Sequence, residues 1–153
     1  MVGKHAEMGK RMIRPQMTPE EVRDRLADGE DALDLSIEHW EINVERWMDE
    51  SVDILEECYG SQIGYAISPE TCGLCTSNRH FGRGCTGCPY YNHYGYRCYV
   101  GHYGIVEDLV PHPIFRHGNA DREKVVNAAV DMLNALKVIR VARMIKGVEG
   151  FWI

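Results

Sequence analysis

Residues 31–49 read DALDLSIEHWEINVERWMD, and this stretch decides the fold class of the chain. Its large apolar residues recur at intervals of three and four positions, the spacing that lines one face of an α-helix. The pattern predicts a helix over 31–49 with one buried face. We interpret its two tryptophans as core residues rather than as a ligand-binding stack. The apolar stripe comprises Leu33, Ile37, Trp40, Val44, Trp47 and Met48.

Two further helices are predicted on either side of this stretch. Thr18-Pro19-Glu20-Glu21 combines a capping threonine, a proline at the first helical position and a glutamate three residues after the cap. It predicts a helix over 19–28 that Gly29 ends. A third helix is predicted over 119–147, with Gly147 as its stop. Its stripe comprises Val125, Val126, Ala129, Met132, Leu133, Leu136 and Ile139.

The length of 153 residues predicts a single domain over 1–153. Its net charge of -6 hides a partition into an acidic helical segment, 18–57, and a stretch without acidic residues, 71–106. Between the helices lies a segment rich in Cys, Gly and Tyr, 58–106, which we call the cysteine-rich module and expect to consist of loops and tight turns. We therefore expect a mainly α fold with a loop-rich module inserted between helices.

The composition also restricts location and partners. The basic N-terminus has no apolar segment typical of a secretory signal, and no run of residues approaches the ~18 apolar residues of a membrane helix. We therefore predict a cytoplasmic protein without a membrane partner. The net negative charge argues against general binding of polyanions.

The cysteine-rich module contains two Cys-x-x-Cys pairs, Cys72 with Cys75 and Cys85 with Cys88, separated by nine residues. Each pair can present two thiolates on one side of a tight loop, and two facing pairs supply the four sulfurs of a tetrahedral Zn²⁺ site. We predict that these four cysteines bind zinc in a knuckle-like or ribbon-like module. Four sulfurs leave no coordination position for a substrate, so the predicted role is structural.

Other ligand sets remain open. Cys98 lies ten residues after Cys88 and is the first alternative ligand, and histidines are the others. An iron–sulfur cluster is the alternative cofactor, because a proline follows Cys88. Disulfides would need an oxidising compartment, and Cys58 is interpreted as a buried free thiol. The histidines concerned are His80, His93 and His102.

The cysteine pattern, Cys-x-Leu-Cys, then Cys-x-Gly-Cys-Pro, then a fifth cysteine, resembles a group of small uncharacterised proteins of bacteriophages and prophages. Many of these also have a Leu-Ser-Ile-x-x-Trp helix, matched here by residues 35–40. The resemblance covers about residues 33–140 and implies a phage or prophage origin, hence a bacterial cytoplasm, without implying an activity. The chain departs from the group after Cys98, where Tyr-Val-Gly-His replaces the usual Thr-Pro-Tyr.

Aromatic and basic residues of the module suggest a contact surface, since tyrosine and arginine stack on bases and anchor protein interfaces. The alternative is that the rings only wrap the metal site. We expect a non-catalytic zinc-binding accessory protein that contacts nucleic acid or a nucleotide through this surface. A module that inhibits or redirects a host protein is the second hypothesis, and a metal-dependent nuclease-like enzyme is the third, with no catalytic residues assigned. The predicted surface comprises Arg79, Arg83, Tyr90, Tyr91, Tyr94, Tyr96, Arg97, Tyr99 and Tyr103.

Overall fold

A computed structural model of the protein describes residues 13–60, 64–80, 85, 87–110 and 121–152, with backbone alone for 78–80 and 147–152. Across these ranges the protein is mainly helical and contains no strand, which confirms that the fold is mainly α. No helix in this part of the chain is long and apolar enough to cross a membrane. The elements follow in the order α1 (Pro19–Ala27), α2 (Ala32–Trp47), α3 (Ile54–Tyr59), a 3₁₀ turn (Pro69–Thr71), α4 (Gly73–His80), α5 (Pro89–Tyr94), α6 (His102–Leu109) and α7 (Arg122–Trp152).

Side-chain caps begin the first two helices. The Thr18 hydroxyl accepts a hydrogen bond from the backbone N–H of Glu21, at the start of α1. The Asp31 carboxylate does the same for Asp34 at the start of α2. Gly29 adopts a positive φ of 94° between the two helices, a conformation that residues with a side chain rarely take. The local pattern therefore predicts this part of the chain correctly.

Two predicted helix ends differ from the structure. Helix α2 ends at Trp47, two residues before the predicted end, and the Arg122 guanidinium donates hydrogen bonds to the carbonyls of Trp47 and Asp49, at 2.7 and 3.0 Å. At the other end of the chain, the backbone of α7 continues through Gly147 to Trp152, so the predicted stop was wrong. A single glycine costs a helix only about 1 kcal/mol, which does not end a helix of 31 residues.

The expectation of loops throughout the cysteine-rich module was wrong. Helices α4, α5 and α6 lie within it. Helix α5 has Pro89 at its first position, and its end is marked by Gly95, whose φ is +78°. Proline before and glycine after are the signals of a helix even as short as this one. The prediction overlooked them because six residues are too few to show helical periodicity.

The main core joins the module to the long helices. Trp40 and Trp47 of α2 are buried with their ring centroids 6.2 Å apart and nearly perpendicular, which confirms their assignment to the core. Within the module, Leu74, Tyr90 and Val106 belong to the same core cluster. The module therefore has apolar anchors of its own. The buried face of α7 includes Val125, Ala129, Met132, Leu136 and Ile139, as its stripe predicts.

Candidate metal centre

The first cysteine pair lies where α4 begins, against α2. The Ser36 hydroxyl of α2 is 3.6 Å from the Cys72 sulfur and accepts the backbone N–H of Leu74 at 3.1 Å. The two elements approach so closely that a Cβ on Gly73 would lie 2.6 Å from the carbonyl oxygen of Ala32. Only glycine fits at this position of the Cys-Gly-Leu-Cys sequence, which therefore also serves helix packing.

The thiols of Cys72, Cys75 and Cys98 form a connected group. The Cys72 and Cys98 thiols both act on the pKa of Cys75 as hydrogen-bonding neighbours. The pKa of Cys72 is raised, first by its hydrogen bond with Cys75 and then by burial. The hydrogen bond with Cys72 lowers the pKa of Cys75, but the bond with Cys98 and burial outweigh it and bring the pKa to about 12. Without a cation, Cys72 and Cys75 therefore stay protonated at neutral pH.

Cys88 lies beside this group at the start of α5. Its backbone N–H donates to the carbonyl oxygen of Cys85 at 3.0 Å, which closes the tight turn of the second pair. Burial raises the pKa of the Cys88 thiol, while the N–H groups of Tyr91 and Tyr90 lower it. The neighbouring Cys72 and Cys85 thiols raise the pKa of Cys88 further through their Coulombic effect.

Backbone hydrogen bonds and close packing fix the conformation of the loop around Cys98. The carbonyl oxygen of Cys98 accepts the backbone N–H groups of Gly101 and Gly104, at 3.0 and 3.1 Å. A Cβ on Gly104 would lie 1.9 Å from the carbonyl oxygen of Tyr99, so the turn into α6 requires glycine there. The Cys98 side chain is half-buried and packs against the main core cluster.

These thiols interact in pairs rather than around one point. All six cysteines are free, and no three His, Cys, Asp or Glu side chains in the described ranges are arranged to hold a metal ion. Among the histidines predicted as alternative ligands, His93 is exposed, and Nδ1 of His102 lies 2.5 Å from the Tyr90 hydroxyl. The side chain of His80 lies outside the described residues.

Most of the predicted tyrosine surface faces the interior. Tyr90 is only 1% exposed. The Tyr94 hydroxyl donates to the carbonyl of Ala135 at 2.9 Å, and the Tyr103 hydroxyl donates to that of Ile67. The Tyr94 hydroxyl ties the module to α7, and the Tyr103 hydroxyl ties α6 to the segment before α4 within the module. Tyr91 is half-buried against the core as well.

What remains on the surface is a short stretch that we call the exposed loop, residues 96–100. Tyr99 is 51% exposed and Val100 is 69% exposed. The Arg97 guanidinium donates to the Tyr99 hydroxyl at 2.8 Å and lies 5.9 Å from the centroid of the Tyr99 ring. The loop thus presents a stacked cation–aromatic pair beside an aliphatic side chain. The side chain of Arg79 and the whole of Arg83 lie outside the described residues.

The sequence analysis missed a buried polar network that holds the entrance to the module. His39 Nε2 donates to the carbonyl oxygen of Ala66 at 2.7 Å, and the side-chain amide of Asn43 donates to the same oxygen at 3.1 Å. Nearby, Arg46 Nε donates to the buried carboxylate of Glu57 at 2.5 Å. Polar residues at helical spacing within the apolar pattern of α2 are the signal that could have revealed this network.

Burial lowers the pKa of His39 to about 4, so its ring is neutral at pH 7. Among the residues that the structure describes, its Nδ1 atom has no hydrogen-bond partner. Because His39 and Asn43 are buried and hold a backbone carbonyl, we interpret the network as structural.

Comparison with protein-family models, with curated proteins and with solved structures finds no match for this chain.

Proposed function

We propose that the protein is a non-catalytic zinc-binding protein whose metal holds the exposed loop in place for contact with another protein. The observation that carries the proposal is the position of Cys98, which packs against the same core cluster as Cys72 and lies within the loop, between Arg97 and Tyr99. A metal ion bound by the Cys98 thiol would therefore also hold the loop residues on both sides of Cys98 in place.

The chemistry of the thiols supports zinc. Cys72, Cys75 and Cys88 supply three sulfurs, and either Cys85 or Cys98 supplies a fourth. Zn²⁺ prefers four-coordinate thiolate sites and imposes no directional preference beyond the tetrahedron. The zinc ion would also stabilise the thiolates, because its positive charge offsets the repulsion between neighbouring negative sulfurs.

The exposed loop favours a protein partner over nucleic acid. Tyrosine and arginine are the residues that most often dominate protein interfaces. Tyr99 also lines a groove of ≈ 690 Å³ together with Glu107, whose carboxylate would repel a phosphate backbone. With Tyr90 and Tyr103 directed inward, the aromatic platform for stacking bases is smaller than the sequence predicts. The resemblance to phage and prophage proteins would place the partner in a bacterial cytoplasm.

The metal half of the proposal is tested by elemental analysis of protein purified without added metal. We expect about one zinc per chain. Detection of iron together with acid-labile sulfide would show that the site holds an iron–sulfur cluster instead of zinc. Detection of no bound metal would refute the metal site.

The partner half is tested by site-specific photo-crosslinking in a bacterial lysate. A photoreactive residue at Tyr99 should give a discrete protein adduct that disappears when Arg97→Ala is added. The same residue at Met48, which is exposed elsewhere on the surface, is the matched control and should not form that adduct. A parallel titration with single-stranded and duplex DNA at low salt should show no binding, and measurable affinity there would overturn the choice of a protein partner.

A further inference from the structure

A groove lies between the exposed loop, α6 and the end of α3. Its volume is ≈ 690 Å³, within the range of about 300–1,000 Å³ that is typical of ligand sites. Tyr99 lines it from the exposed loop, and Tyr103 and Glu107 line it from α6. Because Tyr103 and Glu107 are four residues apart, they share one face of that helix. The exposed loop therefore continues into a concave site.

The charge of the groove is negative. Of the described residues that line it, Glu107 is the only Asp, Glu, Lys, Arg or His. Glu107 is also exposed, so its carboxylate is accessible to a ligand. An anionic group would be repelled there, and an apolar ligand that covered the carboxylate would leave it without a partner. A cation, in contrast, would be attracted.

Three tyrosines line the same groove, and the structure holds all three hydroxyls in place. The Tyr59 hydroxyl donates to the carbonyl oxygen of Val110 at 2.6 Å, and the Tyr103 hydroxyl donates to that of Ile67. The Tyr99 hydroxyl accepts a guanidinium N–H group within the exposed loop. The rings are thus positioned before a ligand arrives, which lowers the cost of binding. Aromatic rings attract cations through the negative charge of their faces.

The groove also has an apolar side. Ile67 and Pro69 line it from the segment that leads into α4. Lysine and arginine side chains combine an aliphatic stem, which can cover apolar surface, with a charged head that stays near polar groups. Apolar residues and a single carboxylate in one groove match both parts of such a side chain.

From these observations we propose that the groove receives a lysine or arginine side chain of the protein that contacts the exposed loop. The charged head pairs with Glu107 and lies against the tyrosine rings, and the stem lies along Ile67. The inference rests on the proposed function, because the side chain belongs to the proposed partner, and it adds that this partner is basic at the point of contact. It does not depend on the metal.

The first test titrates the full chain with short peptides at low salt and follows the backbone amides by NMR. The probe is a glycine peptide with one central lysine. It is compared with the same peptide carrying norleucine, which keeps the stem without the charge, or glutamate. We expect saturable shifts around Tyr99 and Glu107 with the lysine peptide, about 3–30-fold weaker binding of the norleucine peptide, and no binding of the glutamate peptide. Equal affinities for lysine and norleucine, or no binding of lysine, would overturn the proposal.

Matched variants identify the side chains that hold the lysine. Glu107→Gln removes the carboxylate and should weaken binding of the lysine peptide about 2–5-fold. Asp108→Asn removes the neighbouring exposed carboxylate, which does not line the groove, and should leave the affinity almost unchanged. Tyr99→Leu should weaken binding by a similar factor to Glu107→Gln, whereas Tyr99→Phe, which keeps the ring, should not. Equal losses for Glu107→Gln and Asp108→Asn would show a general effect of charge and overturn the site.

A small amine tests the source of the cation. n-Butylammonium carries the same kind of charged stem without a peptide backbone, and it should bind more weakly than the lysine peptide. Equal affinity would make the groove a site for small amines and overturn its assignment to a protein side chain.

Photo-crosslinking from Tyr99 separates this inference from the proposed function. Adding Glu107→Gln should weaken the protein adduct, and adding Asp108→Asn should not. An adduct that forms equally well with Glu107→Gln would overturn the role of the groove and leave the proposed function standing. If no adduct forms from any variant while the lysine peptide still binds, the proposed protein contact is refuted, together with the assignment of the cation to that partner.

Discussion

Replacing His39 by glutamine should remove a large part of the acid sensitivity of this protein. His39 is buried on α2, and its Nε2 donates to the carbonyl of Ala66. Burial lowers its pKa in the folded protein from 6.5 to about 4. Below pH 6.5 the unfolded chain therefore takes up a proton that the folded chain cannot, and the free energy of unfolding falls as the pH falls. Glutamine can still donate to Ala66 but does not titrate.

The magnitude follows from the two pKa values. Each pH unit between them removes about 1.4 kcal/mol of stability. Between pH 7.5 and pH 5.0, His39 alone should lower the free energy of unfolding by about 2 kcal/mol. Below about pH 4 the folded protein also binds the proton and the loss stops increasing. Because the group is enclosed, screening by solvent does not reduce this effect.

The assay is urea denaturation of the wild-type protein and His39→Gln at both pH values and at one fixed zinc concentration. Protonation of metal-bound thiols also lowers stability in acid, but it affects both proteins equally and cancels in the comparison. His93→Gln, which removes an exposed imidazole, is the matched control and should keep the wild-type pH dependence. Equal losses of stability for the wild-type protein and His39→Gln would refute the reasoning, whatever the stability of the variant at pH 7.5.

Four further single substitutions test the packing and the ion pairs. Gly104→Ala places a Cβ 1.9 Å from the Tyr99 carbonyl and should cost about 2–3 kcal/mol in a thermal or urea melt. Gly29→Ala, where only the positive φ and no contact opposes the methyl group, should cost about 1 kcal/mol, and a larger loss at this site than at Gly104 would contradict the packing argument. Arg46→Ala leaves the Glu57 carboxylate, 1% exposed, without its cation and should cost about 3 kcal/mol; adding Glu57→Gln should recover part of the loss, and no recovery would count against a charge effect. Arg143→Ala, which breaks an ion pair with Asp31 whose arginine side chain is 49% exposed, should change stability by less than about 0.5 kcal/mol in the same melts.

The sequence predicts the helices where the information is local. The cap at Thr18, the stripe through Trp40 and the buried face of α7 follow from residues within one or two turns of each other. The short helices α4, α5 and α6 are not predicted in this way, because six to eight residues are too few to show the helical repeat of apolar residues. Gly147 misleads for a related reason, since a weak local stop is overridden by the length of the helix around it.

The sequence alone also identifies the cysteines as the centre of interest, because the chemistry of paired thiols depends on residue type and short spacing. It does not show which cysteines approach the same part of the core. Cys72 and Cys98 both pack against the main core cluster, although they are distant along the chain.

The tertiary structure alone decides which aromatic residues are available to a partner. Tyr94 reaches a carbonyl 41 residues away, and Tyr103 reaches one 36 residues away. No local pattern contains those partners, so a run of tyrosines reads as a surface until the long helix and the segment before α4 cover it. A tyrosine is available to a partner only where no other element covers it, and the three-dimensional arrangement of the helices determines which tyrosines are covered.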